Sequence, residues 1–401
     1  MVKRIFACLL CLLVLMSVGG CSKEQIGDSS VYNYVTDCQI TKTYYSADAN
    51  IAKCETGYYV LASKYLFFFD AELKVSTPLC VKPNCLHDNE NCSAAIGVVD
   101  QIAYNNEKIY YIESAGEEKE FEGAYITALS ADGSKKEHLY YFKETCVDWI
   151  VHRGYFYFSI FEYDKSNIAE MGQEINRDAY IYRIPLDKST DEREVVYYAK
   201  HVSGDSQIDE LMAFGDYLYF IVTGNTKENN EFVFESYKQN LEDFSLERLC
   251  IENGIELMTP SLIDGKLIFA SSKEIDGEYQ YYITDFNGNN PESFCWVHED
   301  DKLISDGKYI YIGKDVYYME DDTQRTMTVY DAKMNKVDDV DLGSGSVTTW
   351  RFLPVDDKLF LFGGKQDAGK YVVFYYDKSV IGSLNGEKWD YTVANKTNDY
   401  K

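Results

Sequence analysis

Short runs of aromatic and β-branched residues, each opened by a turn of Asp, Asn or Gly, return along this chain about every fifty residues. Thr56 opens "TGYYVLA", Asn106 "NEKIYYI", Arg153 "RGYFYFS", Gly215 "GDYLYFI", Asp264 "DGKLIFA", Asp306 "DGKYIYI" and Asp356 "DDKLFLF". The second residue of each run falls at 57, 107, 154, 216, 265, 307 and 357, at intervals of 50, 47, 62, 49, 42 and 50. The long interval holds a polar insertion, Tyr163 to Asp178. A second run follows each first one: "YLFFFDAELK" from Tyr65, "YITALSADGS" from Tyr125, "YIYRIPLDKS" from Tyr180, "YYITDFNGNN" from Tyr281, "MTVYDAKMNK" from Met327 and "VVFYYDKSVI" from Val372. The copy near Phe234 is degraded. Each reads as a strand entering a tight turn. Two hairpins per unit, repeated around seven times, predict an all-β chain built as a β-propeller of seven blades, with six or eight as the alternatives. Such a unit cannot bury both of its faces alone, so neighbours stack and the ring closes over the exposed edges. Residues 37–401 are then one propeller domain.

The N-terminus follows a different pattern. Met1 to Arg4 is a short positive stretch, Ile5 to Met16 is apolar, and Ser17 to Gly20 are small. This reads as a signal peptide over residues 1–20, too short to span a bilayer as a helix. Val18-Gly19-Gly20-Cys21 resembles the bacterial lipobox, which implies lipidation of Cys21. Two acyl chains there would anchor the chain stably to the outer face of the cell membrane. Residues 21–36 are polar and read as a tether.

Composition changes the picture in one respect. The net charge is −27, and −29 once Lys3 and Arg4 leave with the signal. So acidic a body repels phosphate, which excludes nucleic acid and restricts membrane contact to the anchor. A monomer is expected. The 36 tyrosines and 21 phenylalanines fit pleated, half-buried surfaces.

The blade pattern, with Tyr282-Ile283-Thr284-Asp285, resembles YWTD-type propellers related to low-density-lipoprotein-receptor domains, although most blades lack the tryptophan. With the lipobox and Leu79-Cys80-Val81-Lys82-Pro83-Asn84-Cys85-Leu86-His87, the whole mature chain resembles a group of uncharacterised lipoproteins of Gram-positive, clostridia-like bacteria. That resemblance implies location and fold and carries no reaction.

The candidate chemistry lies in "CVKPNCLHDNENC", where Cys80, Cys85, His87 and Cys92 follow C-x4-C-x-H-x4-C. Three thiolates and an imidazole suit a tetrahedral ion such as structural zinc. Exported cysteines commonly oxidise, so disulfides within this set or with Cys38 and Cys54 are the competing reading. In a strict anaerobe, as the resemblance implies, a reduced loop is the third. Cys146, Cys250 and Cys295 read as small core residues.

No catalytic constellation stands out. Gly343-Ser344-Gly345-Ser346 only resembles a nucleophile elbow, and His298-Glu299-Asp300-Asp301 lacks the second histidine of a zinc-protease motif. His138, His152 and His201 are isolated, and carboxylate pairs such as Glu320-Asp321-Asp322 and Asp338-Asp339 follow from 66 acidic residues. The expected function is a surface binding module for a glycan, peptide or protein. The alternative is a carbohydrate-active lyase or glycosidase with its site in the funnel.

Overall fold

The computed structural model describes residues 32–39 and most of 51–394; within that span, 63, 88, 90, 98, 117–122, 164–176, 189–191, 252–253, 259, 315–325, 342–348, 357, 363–371 and 383–389 are not described. Among the described residues the only helical element is a 3-10 turn at Lys378–Val380. Seven four-stranded antiparallel sheets follow one another, each made of consecutive strands. They are β1 (Ile51–Lys53), β2 (Gly57–Ala62), β3 (Tyr65–Asp70) and β4 (Val75–Pro78); β5 (Ala103–Asn105), β6 (Lys108–Ser114), β7 (Ala124–Ser130) and β8 (Lys136–Phe142); and β9 (Thr145–His152), β10 (Tyr155–Tyr163), β11 (Arg177–Pro185) and β12 (Glu194–Tyr198). The fourth sheet holds β13 (Val202–Phe214), β14 (Tyr217–Thr226), β15 (Phe232–Asn240) and β16 (Leu246–Arg248), followed by a two-stranded ribbon, β17 (Cys250–Ile251) and β18 (Ile255–Glu256). Then come β19 (Ser261–Ile263), β20 (Lys266–Ile275), β21 (Glu278–Thr284) and β22 (Glu292–His298), and β23 (Asp301–Ser305), β24 (Ile310–Lys314), β25 (Thr326–Tyr330) and β26 (Lys336–Asp341). The last sheet is β27 (Thr349–Phe352), β28 (Lys358–Phe362), β29 (Val372–Asp377) and β30 (Asp390–Ala394).

The repeated sequence runs are the second and third strands of these sheets. Their turns need positive φ, which Arg153 and Gly154 (44° and 82°) or Asp264 and Gly265 (44° and 69°) adopt between first and second strands. The alternation then buries both faces. Tyr58, Val60 and Ala62 of β2 join Phe67, Phe69 and Leu353 in one cluster, whereas Tyr59 and Leu61 meet Ile102, Tyr104, Ile109 and Tyr111 of the second sheet. Fully burying one such side chain is worth about 1.5–3 kcal/mol.

The expected seven blades need correction. Strand pairing gives seven four-stranded sheets, but the propeller arrangement is made out for six blades, a number the sequence reading had kept open. Pairing is a property of each sheet; a blade count also depends on how sheets pack around the axis. The seventh sheet is paired strand to strand, and β30 lies beside β3 and β4 of the first.

First strands face the axis: β1 touches β5, β5 touches β9, β9 touches β13, and β19 touches β23. Residues 32–39 lie across the ends of these strands. The Arg153 N–H and the Asn105 side-chain amide donate to Thr36 O (2.6 and 2.9 Å), and Asn106 N–H donates to Val35 O (3.4 Å). Gln39 pairs with the backbone of Lys53 in both directions, at 2.7 and 2.8 Å. Arg153 binds Asp37 at 2.9 Å and Asp216 at 2.5 Å. Residues 32–36, expected in the tether, are thus packed on the ring. Three successive sheets hold this segment like a stopper, and Arg153 links it onward to Asp216 of the fourth.

His152 sits beneath the stopper, fully buried. Its Nδ1 accepts from Cys38 N–H at 3.0 Å, and its Nε2 donates to Gly215 O at 2.7 Å. Burial holds its pKa below the ordinary value; Asp37, the Gly215 carbonyl and Asp216 push upward, and Arg153 acts with burial. In the unfolded chain a histidine protonates near pH ~6.5, so below that pH the unfolded state binds more protons. Stability present above ~6.5 is then lost as the pH falls towards the depressed folded value. Denaturation midpoints should drop between pH about 7.5 and about 5.5, and drop less in His152→Gln. An identical drop in both proteins would contradict this.

A second set of buried polar groups joins the first sheet to the last two. Asp356, in the turn before β28, accepts from Lys53 Nζ (2.5 Å) and from the Tyr58 hydroxyl (2.9 and 3.1 Å to its two oxygens). Lys378 is fully buried, donates to Asp356 O at 2.8 Å and pairs with Asp306 at 2.5 Å. Asp306 also accepts from the Tyr311 hydroxyl at 2.7 Å. Among the described residues no sheet borrows a strand from a distant part of the chain, and side chains fasten the seam between first and last sheets.

Candidate metal centre

β4 ends at Pro78 on the rim opposite the stopper, and the chain leaves the sheet there as an excursion over residues 79–93. Both ends are tied to one residue of β3: Leu79 N–H donates to Leu66 O at 2.9 Å, and Leu66 N–H donates to Ala94 O at 2.8 Å. A loop so closed needs a core of its own. Cys80, Cys85, His87 and Cys92 supply it. One donor atom from each lies within 4.8 Å of all the others. Tight turns make this convergence: Cys85 N–H donates to Lys82 O (3.4 Å) and Cys92 N–H to Asn89 O (3.0 Å). Asn84 and His87 take left-handed φ values of 57° and 53°, sparsely populated by residues other than glycine. The Lys82 ammonium reaches across to Asn91 O.

Cys92 is 3 % exposed and packs with Tyr65, Phe67, Phe69 and Leu353; Cys80 and Cys85 cover the same cluster. His87 Nδ1 lies 3.3 Å from Cys92 Sγ, and the Ser93 hydroxyl donates to Cys80 Sγ at 3.2 Å. Burial works against ionising Cys80, yet Ser93, the backbone N–H groups of Lys82 and Ser93, and the Cys92 thiol bring its pKa down to about 6. Burial pushes Cys92 up to about 12, assisted by Cys80 and Cys85 and opposed by the Ala94 N–H. One sulfur ionises readily and its buried neighbour resists, which a cation between them would relieve.

The donor set fits a thiophilic ion. Zinc–sulfur bonds of about 2.3 Å place tetrahedral sulfurs about 3.8 Å apart, within the span these four atoms occupy. All four positions would be protein-derived, a closed site that holds structure and performs no catalysis. Cys80, Cys85 and Cys92 are free thiols in this structure. Cys38 and Cys54, the expected distant partners, lie in two other core clusters.

The remaining candidates scatter. His138 is near Thr127 (3.2 Å), His201 binds Glu235 (2.7 Å) and His298 lies 3.8 Å from Asp300. Cys146 and Cys295 pack at the margins of cores. Cys250, expected inside, is exposed, because β17 pairs only with β18. Cys21, Gly343–Ser346 and Glu320–Asp322 lie outside the described residues. Sequence reasoning missed Ser93 and the backbone donors, whose only signal is adjacency to a ligand.

No protein-family model and no curated protein matches this chain. Solved structures do. Prolyl oligopeptidase B from Galerina marginata is 13 % identical with a TM-score of 0.54, over 89 % of this chain and 53 % of that one. The tricorn protease is 10 % identical with a TM-score of 0.53, over 91 % and 34 %. Oligogalacturonate lyase from Vibrio parahaemolyticus is 12 % identical with a TM-score of 0.50, over 86 % and 92 %. Such neighbours include β-propellers. This chain is a β-propeller. The propeller spans about half of prolyl oligopeptidase B and a third of the tricorn protease. At these identities the likeness is one of fold, and it does not extend to the YWTD type or to the lipoprotein group.

Proposed function

We propose that this propeller is an extracytoplasmic binding module, anchored through a lipidated Cys21, that meets its partner on the rim opposite the stopper. The observation that carries this reading is the placement of residues 32–39, which engage three successive sheets at one end of the axis and are linked through Arg153 to Asp216 of a fourth. The tether then leaves from that rim, which turns towards the membrane. The opposite rim bears the loop with Cys80, Cys85, His87 and Cys92 and the connections 227–231 and 276–277 between second and third strands. Connections held by a rigid scaffold are where binding residues concentrate.

A polypeptide partner is the class best supported. Several of the tyrosines that could stack on sugars are spent inside, with Tyr111, Tyr157, Tyr219 and Tyr311 among the largest fully buried side chains. What this rim exposes is aliphatic: Leu86 is 79 % and Val81 49 % exposed. The second reading, a lyase, draws on the likeness to oligogalacturonate lyase over most of both chains.

The test has three parts. Cys21→Ser should release the protein from membranes into the medium. A photo-crosslinker at Leu86 should capture a polypeptide on intact cells, whereas one at Asp216 on the stopper rim should not. Incubation with oligogalacturonates should leave the ultraviolet absorbance of unsaturated products unchanged. Capture only from Asp216 overturns the assigned rim, and steady product formation overturns the module in favour of the lyase.

A further inference from the structure

The excursion 79–93 has the geometry of a metal clip, an inference independent of what the propeller binds. We propose that Cys80, Cys85, His87 and Cys92 hold one tetrahedral, thiophilic divalent ion of the zinc class, which ties the loop to the first sheet. Three observations carry this beyond the spacing of the sequence motif.

The first is convergence. Donor atoms from four residues spread over thirteen positions come within 4.8 Å of one another, close to the edges of a zinc tetrahedron. His87 Nδ1 and Cys92 Sγ are 3.3 Å apart.

The second is the set of donors around the sulfurs. The Ser93 hydroxyl and the backbone N–H groups of Lys82 and Ser93 point at Cys80, and the Ala94 N–H at Cys92. Thiolates on a metal keep negative charge and need such outer donors. A disulfide carries no charge and needs none. Three thiolates and a neutral imidazole around a divalent ion leave one net negative charge, and the Lys82 ammonium bridges the same loop.

The third is the anchoring. Cys92 is a core residue of the first sheet, packed with Phe67 and Phe69, and both loop ends hydrogen-bond to Leu66. An ion here joins a buried side chain to the half-buried Cys80, Cys85 and His87. Oxygen-preferring ions such as calcium and magnesium do not suit this donor set.

Binding needs no oxidant or reductant. The divalent ion replaces the thiol protons of Cys80, Cys85 and Cys92 and takes a nitrogen lone pair from His87, releasing up to three protons to solvent.

The test uses the whole mature chain from Cys21, purified without oxygen or chelator. Expected are one equivalent of zinc or iron per chain, three thiols protected from alkylation until a chelator is added, and the sulfur-to-cobalt charge-transfer bands of a tetrahedral site after cobalt exchange. Cys85→Ser and His87→Ala should each lower metal content at least tenfold with an unchanged circular dichroism spectrum, while Cys250→Ser keeps the full equivalent. If a variant fails to fold, cobalt titration of the unmutated apoprotein decides. A mass two daltons short, marking a disulfide among these cysteines, overturns the proposal. So do three freely alkylated thiols with no cobalt bands at a hundredfold excess of cobalt.

Discussion

Asp356→Ala should destabilise the fold by about 3–5 kcal/mol, the range for removing one partner of a buried ion pair. Its carboxylate is buried and takes Lys53 Nζ, the Tyr58 hydroxyl and the Lys358 N–H together. Alanine would leave the Lys53 ammonium, only 21 % exposed, without its Asp356 counter-charge, and would take both Asp356 oxygens away from the Tyr58 hydroxyl. Asp356→Asn keeps an acceptor and the shape of the turn, and should cost less. The loss should be concentrated at the seam: amides of β1 and β28 should exchange faster than those of β14, which lies far from the junction. Urea denaturation with hydrogen exchange reads both quantities. Equal stability in Asp356→Ala and the unmodified chain would mean that sheet packing alone closes the ring.

Cys92→Ser carries the second large effect. The substitution removes one of the four proposed metal ligands and puts a hydroxyl among Tyr65, Phe67, Phe69 and Leu353. An unsatisfied buried hydroxyl costs about 1–3 kcal/mol. Metal linkage adds about 4 kcal/mol when the free ion exceeds its dissociation constant a thousandfold. Cys85→Ser, at a half-buried position, should lose the linkage part alone. Both variants should become sensitive to chymotrypsin after Leu86, which is 79 % exposed within the loop. Chelation of the unmodified protein should reproduce Cys85→Ser, and an unchanged thermal midpoint with chelator would remove the ion from the stability of the fold.

Much of this architecture is legible because second and third strands carry their own signals. Turn residues with positive φ stand next to five or so aromatic and branched positions, as at Asp264-Gly265 before Leu267, Ile268 and Phe269. First strands such as β1, β5 and β19 have three residues each, too few for any period. Fourth strands such as β16 are exposed throughout and read as loop. The turn aspartates hide a second role. Asp306 and Asp356 accept the N–H groups of their own turns, which the sequence shows, but they also take Tyr311 and Tyr58, which only the fold brings near.

The stopper is invisible in sequence for a related reason. Its side chains are satisfied one at a time by strand ends, Asp37 by Arg153 and Gln39 by Lys53, and not by a periodic apolar face. Residues 32–36 therefore look like the tether before them. The cysteine–histidine cluster is the reverse case. Its members are legible because they crowd into thirteen residues, while their convergence depends on both loop ends meeting at Leu66. Cys250 was misread because its apolar neighbours Leu249 and Ile251 suggest a core strand, whereas the ribbon pairs on one side only.

Residues 32–39 close one end of the axis, and hydrogen exchange of the full-length chain tests this closure most directly. The Cys38 amide, bonded to His152 Nδ1 at 3.0 Å, and the Lys53 amide, bonded to Gln39 Oε1 at 2.7 Å, are the reporters. The closed arrangement predicts protection of both amides comparable to that of the β10 strand amides. Exchange of both at the rate of an unstructured chain would contradict it, and with it the assignment of the partner to the opposite rim.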